Sequence, residues 1–310
     1  MVLLIQEFTE PEPLIDMTTA KTKTTNRIKH LLYFMLQIGK VLTGGFIQDF
    51  NIRAGSIMVG ILLIVGILAP LISPHDPYQQ DLLQSLKPPS WDHPFGTDLY
   101  GRDVCSRVIF GAWIAIKICV IGVGIAFVMG NIAGALSGYY GGWIDTIIMR
   151  IVDSIMAFPF LVLVIAIMAI FGPGLGNLYF AIAVVSWCQY ARIAKSKYIS
   201  EKEADYVMGA KSVGFSDKRI IFGHIMPNAI SPTVVYASLD CALVILLAAS
   251  LSFIGVGAQP PVPEWGAQIA EGRQFLQNAW WVATFPALGI MYTVIGCSIL
   301  GDGLRDRLMA

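Results

Sequence analysis

What this chain lacks most is charge. Only 14% of its 310 residues are charged while 55% are hydrophobic, whereas a soluble domain carries about 25% charged residues. With a mean hydropathy of +0.66, the chain reads as an all-α protein of the lipid bilayer, not as a soluble enzyme. Net charge is lacking too: 21 basic residues balance 21 acidic ones, which leaves no basic surface for a nucleic acid. Paired cysteines are missing. Cys105, Cys119, Cys188, Cys241 and Cys297 are scattered singly, so no disulfide framework or Cys-x-x-Cys metal pair forms, and they read as small apolar fillers. A phosphate-binding loop is missing as well. The sole Gly-Lys pair, Gly39-Lys40, has no Gly at the required earlier position, so this chain is not expected to bind ATP or any other cofactor. The N-terminal stretch holds Glu7, Glu10, Glu12 and Asp16 without a basic region ahead of an apolar run, which does not read as a signal peptide.

What is present is a series of long apolar runs with few charges. A bilayer core takes about 20 apolar helical residues. Six runs meet that need, at 54–74, 110–138, 146–171, 177–197, 229–256 and 279–301. The third and fourth come from one uncharged stretch over 154–191, split by Gly172-Pro-Gly-Leu-Gly-Asn177 into a helical hairpin. The mixed segment 31–50 reads as an interfacial helix. The resulting organisation is an N-terminal tail with that helix over 1–50, a first span over 51–74, a loop over 75–106 and a core membrane domain over 107–310. Within the core, a cytoplasmic loop covers about 198–228.

Orientation follows from Lys and Arg. With the N-terminus inside, only Lys87, Arg102, Arg107, Lys117 and Arg273 of the 21 basic residues lie on or near the outer side. That bias predicts both termini inside, with 75–106 and 257–278 facing outward. In the second span, Gly130, Gly134 and Gly138 form a flat stripe, suited to tight packing within the subunit or to a subunit interface. Asp240 sits about eleven residues into the fifth span, near mid-membrane. It either lines a translocation pathway or makes a structural hydrogen bond to a neighbouring helix. Arg150 is spaced to pair with Asp153 on one helix face.

The outer segments carry His93, Asp98 and Asp103, with Asp76 and Asp81 nearby. Their spacing fits no tight ligand set, and Gly96 and Gly101 point to turns, so no metal is expected and the side chains read as turn caps. The run Pro260-Pro261-Val-Pro263-Glu264-Trp265-Gly266 is either a plug on the helix ends or a landing site for a binding protein. Trp280 and Trp281 read as interface anchors.

The most telling feature is a polar island from Glu201 to Asn228. Its acids come first, where a helix N-terminus favours negative charge. Two turns fit over 205–213, Gly214 stops them, and a second amphipathic piece returns to the membrane at Pro227. A connection this long between spans is usually functional.

The island resembles the EAA loop of ABC-importer permeases: Glu-Ala-Ala, three residues, Gly, nine residues, then hydrophobic-x-Leu-Pro. Aligned on Gly214, the triplet falls on Met208-Gly209-Ala210 and the ending on His224-Ile-Met-Pro227. Met208 stands where that pattern has Glu. Further stretches resemble the second, C-type subunit of the dipeptide/oligopeptide/nickel permease group. They are His93-Pro-Phe-Gly96-Thr-Asp98-Leu-Tyr-Gly101-Arg102-Asp103, Tyr139-Tyr-Gly-Gly142-Trp-Ile-Asp145, Met149-Arg150-Ile-Val-Asp153, Gly255-Val-Gly-Ala-Gln-Pro-Pro261 and Gly301-Asp302-Gly303-Leu304-Arg305-Asp306. The resemblance implies a type I ABC importer permease of the bacterial cytoplasmic (inner) membrane. It implies a second homologous permease, two cytoplasmic ATPases that carry ATP and Mg, and an extracytoplasmic solute-binding protein. Docking on the ATPase then falls to Asp205, Val207, Met208, Gly209, Ala210, Val213, Gly214, Phe215 and Ser216, with Pro227 closing the loop. The cargo implied is a di- or oligopeptide, with nickel or another metal chelate, or glutathione and related solutes, as alternatives. A secondary transporter or channel remains the competing class; it would favour paired halves or several buried acids. A membrane enzyme would need a convergent catalytic set, which the sequence does not offer.

Overall fold

The computed structural model describes residues 49–309. The interfacial helix expected over 31–50 falls outside them but for its last two positions. Among the described residues the regular structure is helical, with one isolated β-bridge between Thr97 and Asp103.

Helix α1 spans Phe50–Ile67 and is followed by a separate turn over Ala69–Ile72, with Pro70 in its first turn. The loop after it ends at Asp103, whose carboxylate accepts from the Ser106 N–H at 2.7 Å and starts α2. Helix α2, Val104–Tyr140, runs 37 residues without a break and contains a π-helical turn over Ile118–Val123. It begins earlier and ends slightly later than the expected span. Gly141 and Gly142, at φ +67° and +54°, turn the chain into α3, Gly142–Met156.

The single span expected over 146–171 is instead two helices. After α3 the chain breaks at Ala157–Pro159 and resumes as α4, Phe160–Phe171, at an angle of 88°. Proline explains the break: Pro159 donates no hydrogen bond, and it disfavours helical geometry at Phe158. The predicted Gly172/Gly174 hairpin is present, capped by Asn177 Nδ2 donating to the Phe171 carbonyl at 2.8 Å. Helix α5 then covers Leu175–Glu201. The island contains α6, Asp205–Ser212. It is followed by a helical stretch from Asp217 to Ala229 with a π turn over Ile220–Ile225. Helix α7, Ser231–Phe253, a short α8, Trp265–Gly272, and α9, Trp281–Leu308, complete the chain.

Four of these helices, α1, α2, α7 and α9, are long and apolar enough to cross a membrane, and the bent α3–α4 pair makes a fifth candidate. The main core lies between α2, α4, α5 and α7, around Ile114, Ile118, Met168, Leu178, Ile182, Val244 and Leu251. The glycine stripe packs inside the subunit, onto α5. A Cβ at Gly134 would sit 2.5 Å from the Ala191 carbonyl oxygen and 2.6 Å from Ala194 Cβ. One at Gly138 would sit 2.7 Å from Tyr198 Cβ. Helices α2 and α5 therefore touch backbone to backbone along this stripe.

Candidate coupling surface and membrane core

The island is built as the local sequence dictates. Helix α6 starts at Asp205, ends with Val213 as its cap and is stopped by Gly214 at φ +82°, a conformation costly for any residue with a Cβ. The Gly214 N–H reaches back to the Lys211 carbonyl at 2.9 Å, and the Phe215 N–H to that of Ala210 at 3.1 Å.

The helix has two faces. Val207 and Ala210 point inward, at 0% and 7% exposure, into a small core with Ala135, Tyr198, Ile220, Ile221, Ile225 and Ala229. Outward lie Tyr206, Met208 and Val213, the last 75% exposed, with Asp205, Gly209, Gly214 and Ser216 also on the surface. Of the residues that the resemblance assigned to docking, Val207 and Ala210 thus anchor the helix instead of facing a partner. Phe215 is half-buried, its ring stacked on His224 at 5.4 Å with the Arg219 guanidinium over it at 4.1 Å. Pro227 sits half-buried in the turn Met226–Ala229 that leads into α7.

Polar contacts fasten the island to the ends of two membrane helices. From α2, the Tyr139 hydroxyl meets Asp217 at 2.7 Å, and the Lys211 ammonium lies over the Tyr139 ring at 5.3 Å. From α5, the Tyr198 hydroxyl donates to the Ile221 carbonyl at 3.4 Å. The Tyr206 hydroxyl donates to Glu201 at 2.6 Å, and partial burial raises the Tyr206 phenol above its ordinary range with that bond adding to the effect. The sequence did not assign these contacts to the tyrosines, because an aromatic near a span end has many possible uses.

Nearby, Asp153 and Asp145 pair across to α5, with Arg192 at 2.6 Å and Lys195 at 2.5 Å. The expected Arg150–Asp153 pair on one face is not made; Arg150 is exposed.

Near the middle of α7, Asp240 is 5% exposed and accepts from the Tyr190 hydroxyl at 2.8 Å. The Tyr190 ring meets Tyr236 edge-on at 4.9 Å and Phe127 at 5.8 Å. Asp240 therefore links α7 to α5 through a partner the sequence did not reveal.

The opposite end of α2 carries the two remaining loops. Arg102 is 1% exposed, bound to Asp98 and to Glu271 at 2.6 Å each. Arg107, equally buried, approaches the same two acids at 3.5 Å. Trp265 Nε1 donates to the Val108 carbonyl at 3.0 Å and Gln268 Nε2 to that of Arg107 at 3.1 Å. Burial raises the Glu264 carboxyl above its ordinary range; it caps α8 by accepting from the Ala267 N–H at 2.9 Å. Residues 263–266 are thus packed on the helix start, while Pro260 and Pro261 are exposed. Trp281 differs from expectation: it is 5% exposed, donating to the Thr97 carbonyl at 3.1 Å, so Trp280 alone of the pair is surface-placed. The island and these loops are attached to opposite ends of one 37-residue helix, which at about 1.5 Å per residue separates them by more than a bilayer core.

Comparison with known proteins agrees with this architecture. Residues 130–309 match the family described as binding-protein-dependent transport system inner membrane component. Residues 53–89 match the N-terminal transmembrane domain of oligopeptide transport permease C. A dipeptide transport system permease protein of Alkalihalophilus pseudofirmus is 42% identical over 254 residues, which cover 82% of this chain and 84% of that protein. A probable D,D-dipeptide transport system permease protein of Escherichia coli K12 is 42% identical over 253 residues, 82% and 85% of the two chains. A glutathione transport system permease protein of Escherichia coli O6:K15:H31 is 42% identical over 266 residues, 85% and 87% of the two. The chain belongs to the family of binding-protein-dependent transport system inner membrane components.

Proposed function

We propose that this chain is one of two permeases in an ATP-driven importer of di- or oligopeptides, gripped from the cytoplasm through α6. The observation that carries the reading is the two-faced helix. It offers Met208 and Val213 to solvent while Val207 and Ala210 lock it to the ends of α2 and α5. A helix held in this way passes a push from a partner to the membrane bundle without deforming. The close α2–α5 contact makes those two helices the rigid lever.

In this reading nucleotide chemistry belongs to two ATPase partners, and an outer solute-binding protein delivers cargo. The absent Glu of the EAA pattern is replaced by apolar contact through Met208. The fold is that of a six-span permease with both termini inside. Counting α5 as a span supports that number: its first seventeen residues, 175–191, carry no charge, and Arg192, Lys195, Lys197 and Glu201 gather at its final third. The Lys/Arg bias supports the orientation. Peptide cargo is favoured by the relatives named for dipeptide transport, and the relative named for glutathione keeps such solutes as the second choice.

Mild-detergent purification of the tagged chain from its native membrane tests the assembly. The expected outcome is co-purification of two ATPase copies or homologues and a second permease. A chain that purifies alone and moves solute driven by an ion gradient belongs to the secondary-transporter class instead.

A further inference from the structure

We propose that His75, His93 and Asp103 form a binding site for a divalent transition-metal ion of the zinc class, which clamps the loop after α1 to the start of α2. The three residues come from separate points of the chain, yet one ligand atom from each lies within 4.8 Å of the others. His93 Nδ1 is 3.0 Å from Asp103 Oδ1, His75 Nδ1 is 3.9 Å from Asp103 Oδ2, and the two imidazole centroids are 4.7 Å apart. Zinc bonds of about 2.0–2.2 Å put tetrahedral ligand atoms about 3.4 Å apart. The three atoms bracket that spacing, the closest pair at 3.0 Å and the His75–Asp103 pair at 3.9 Å. The His75 side chain is 41% exposed, which leaves the site open to solvent.

The supports of the site are fixed. The Ser106 hydroxyl donates to Asp103 Oδ2 at 2.7 Å and accepts from the His75 N–H at 3.0 Å, so one residue orients two of the three ligands. The Ser106 N–H also donates to Asp103 Oδ2 at 2.7 Å, which leaves Oδ1 facing the rings. His93 is held in its turn by its N–H to Ser90 Oγ at 3.1 Å and its carbonyl accepting from Gly96 at 2.8 Å. Two imidazoles and one carboxylate suit zinc, copper or nickel. They are too few and too soft for calcium or magnesium, which take six or more oxygens including water. A plain His93–Asp103 hydrogen bond explains those two residues but not the His75 ring that lies tilted beside them, its centroid 4.7 Å from that of His93. Three protein ligands leave a fourth position for water.

The test uses the full-length chain in nanodiscs, equilibrated with Zn2+ alone, with bound metal counted by mass spectrometry and unfolding followed by heat. The expected result is a Zn2+ ion bound at this site that excess Mg2+ or Ca2+ does not displace. Its affinity falls more than about tenfold in His75→Ala and in His93→Ala, and His224→Ala keeps it. Zn2+ should raise the unfolding temperature of the unmodified chain and not that of His75→Ala, whose exposed side chain is dispensable for folding. Equal zinc content and equal thermal response in the unmodified chain and His75→Ala would overturn the proposal. So would the absence of bound zinc.

Discussion

Single side chains fix the membrane interior. Asp240 is buried in a low-dielectric environment, where an unmatched carboxyl costs far more than a paired one; the Tyr190 hydroxyl at 2.8 Å supplies the match. Tyr190→Phe removes the donor and should lower stability by about 1–3 kcal/mol, read as a drop in unfolding temperature in nanodiscs. Asp240→Asn keeps an acceptor for the same hydroxyl. If Asp240 is structural, that variant transports with unchanged cargo preference; a changed preference would make it a pathway residue. Gly134 is a second such position. A Cβ there meets the Ala191 carbonyl oxygen at 2.5 Å, backbone that cannot step aside, so Gly134→Val should cost at least about 1–3 kcal/mol through overpacking. The stripe was legible in the sequence from its four-residue spacing. The Tyr190 partner was not, because nothing in an apolar run marks which aromatic faces an acid fifty positions away.

Elements show which sequence signals survive folding. Helix α6 formed where the acids, the two-turn length and Gly214 placed it, since capping chemistry is local. The face it presents was not legible, because burial of Val207 and Ala210 depends on α2 and α5 arriving beside it. This predicts a split between neighbours. Met208→Asp, on the exposed face, should leave stability within about 0.5 kcal/mol and lower substrate-stimulated ATP hydrolysis in the assembled transporter. Val207→Asp, on the buried face, should destabilise the chain itself by several kcal/mol. Equal ATPase loss at equal stability loss in both would remove the two-faced reading. Gly214→Asp forces a side chain into left-handed backbone, at roughly 1–2 kcal/mol, and should weaken coupling without preventing membrane insertion. The third span is the element the sequence misled on. Its apolar length read as one span, and Pro159, visible as a bend in it, instead separates two helices at 88°. Apolar length reports solubility in lipid, not straightness.

At the scale of the whole molecule, α2 is the ruler. Its beginning is wired to Trp265, Gln268 and the Arg102–Asp98–Glu271 cluster, its end to the island through Tyr139. Composition and the long apolar runs made the membrane class legible. The ion pairs Arg192–Asp153 and Lys195–Asp145 were not, since they join helices brought together only by the α2–α5 packing. The central claim is that the outward face of α6 is held by an ATPase in the cytoplasm. A photo-crosslinking amino acid at Val213, 75% exposed on that face, tests it in the assembled complex within sealed vesicles of known sidedness. The account predicts an ultraviolet-dependent adduct with the ATPase subunit, and none from the same probe at buried Val207. An adduct to an outer protein, or no ATPase adduct from Val213 in a complex that still transports, would contradict it.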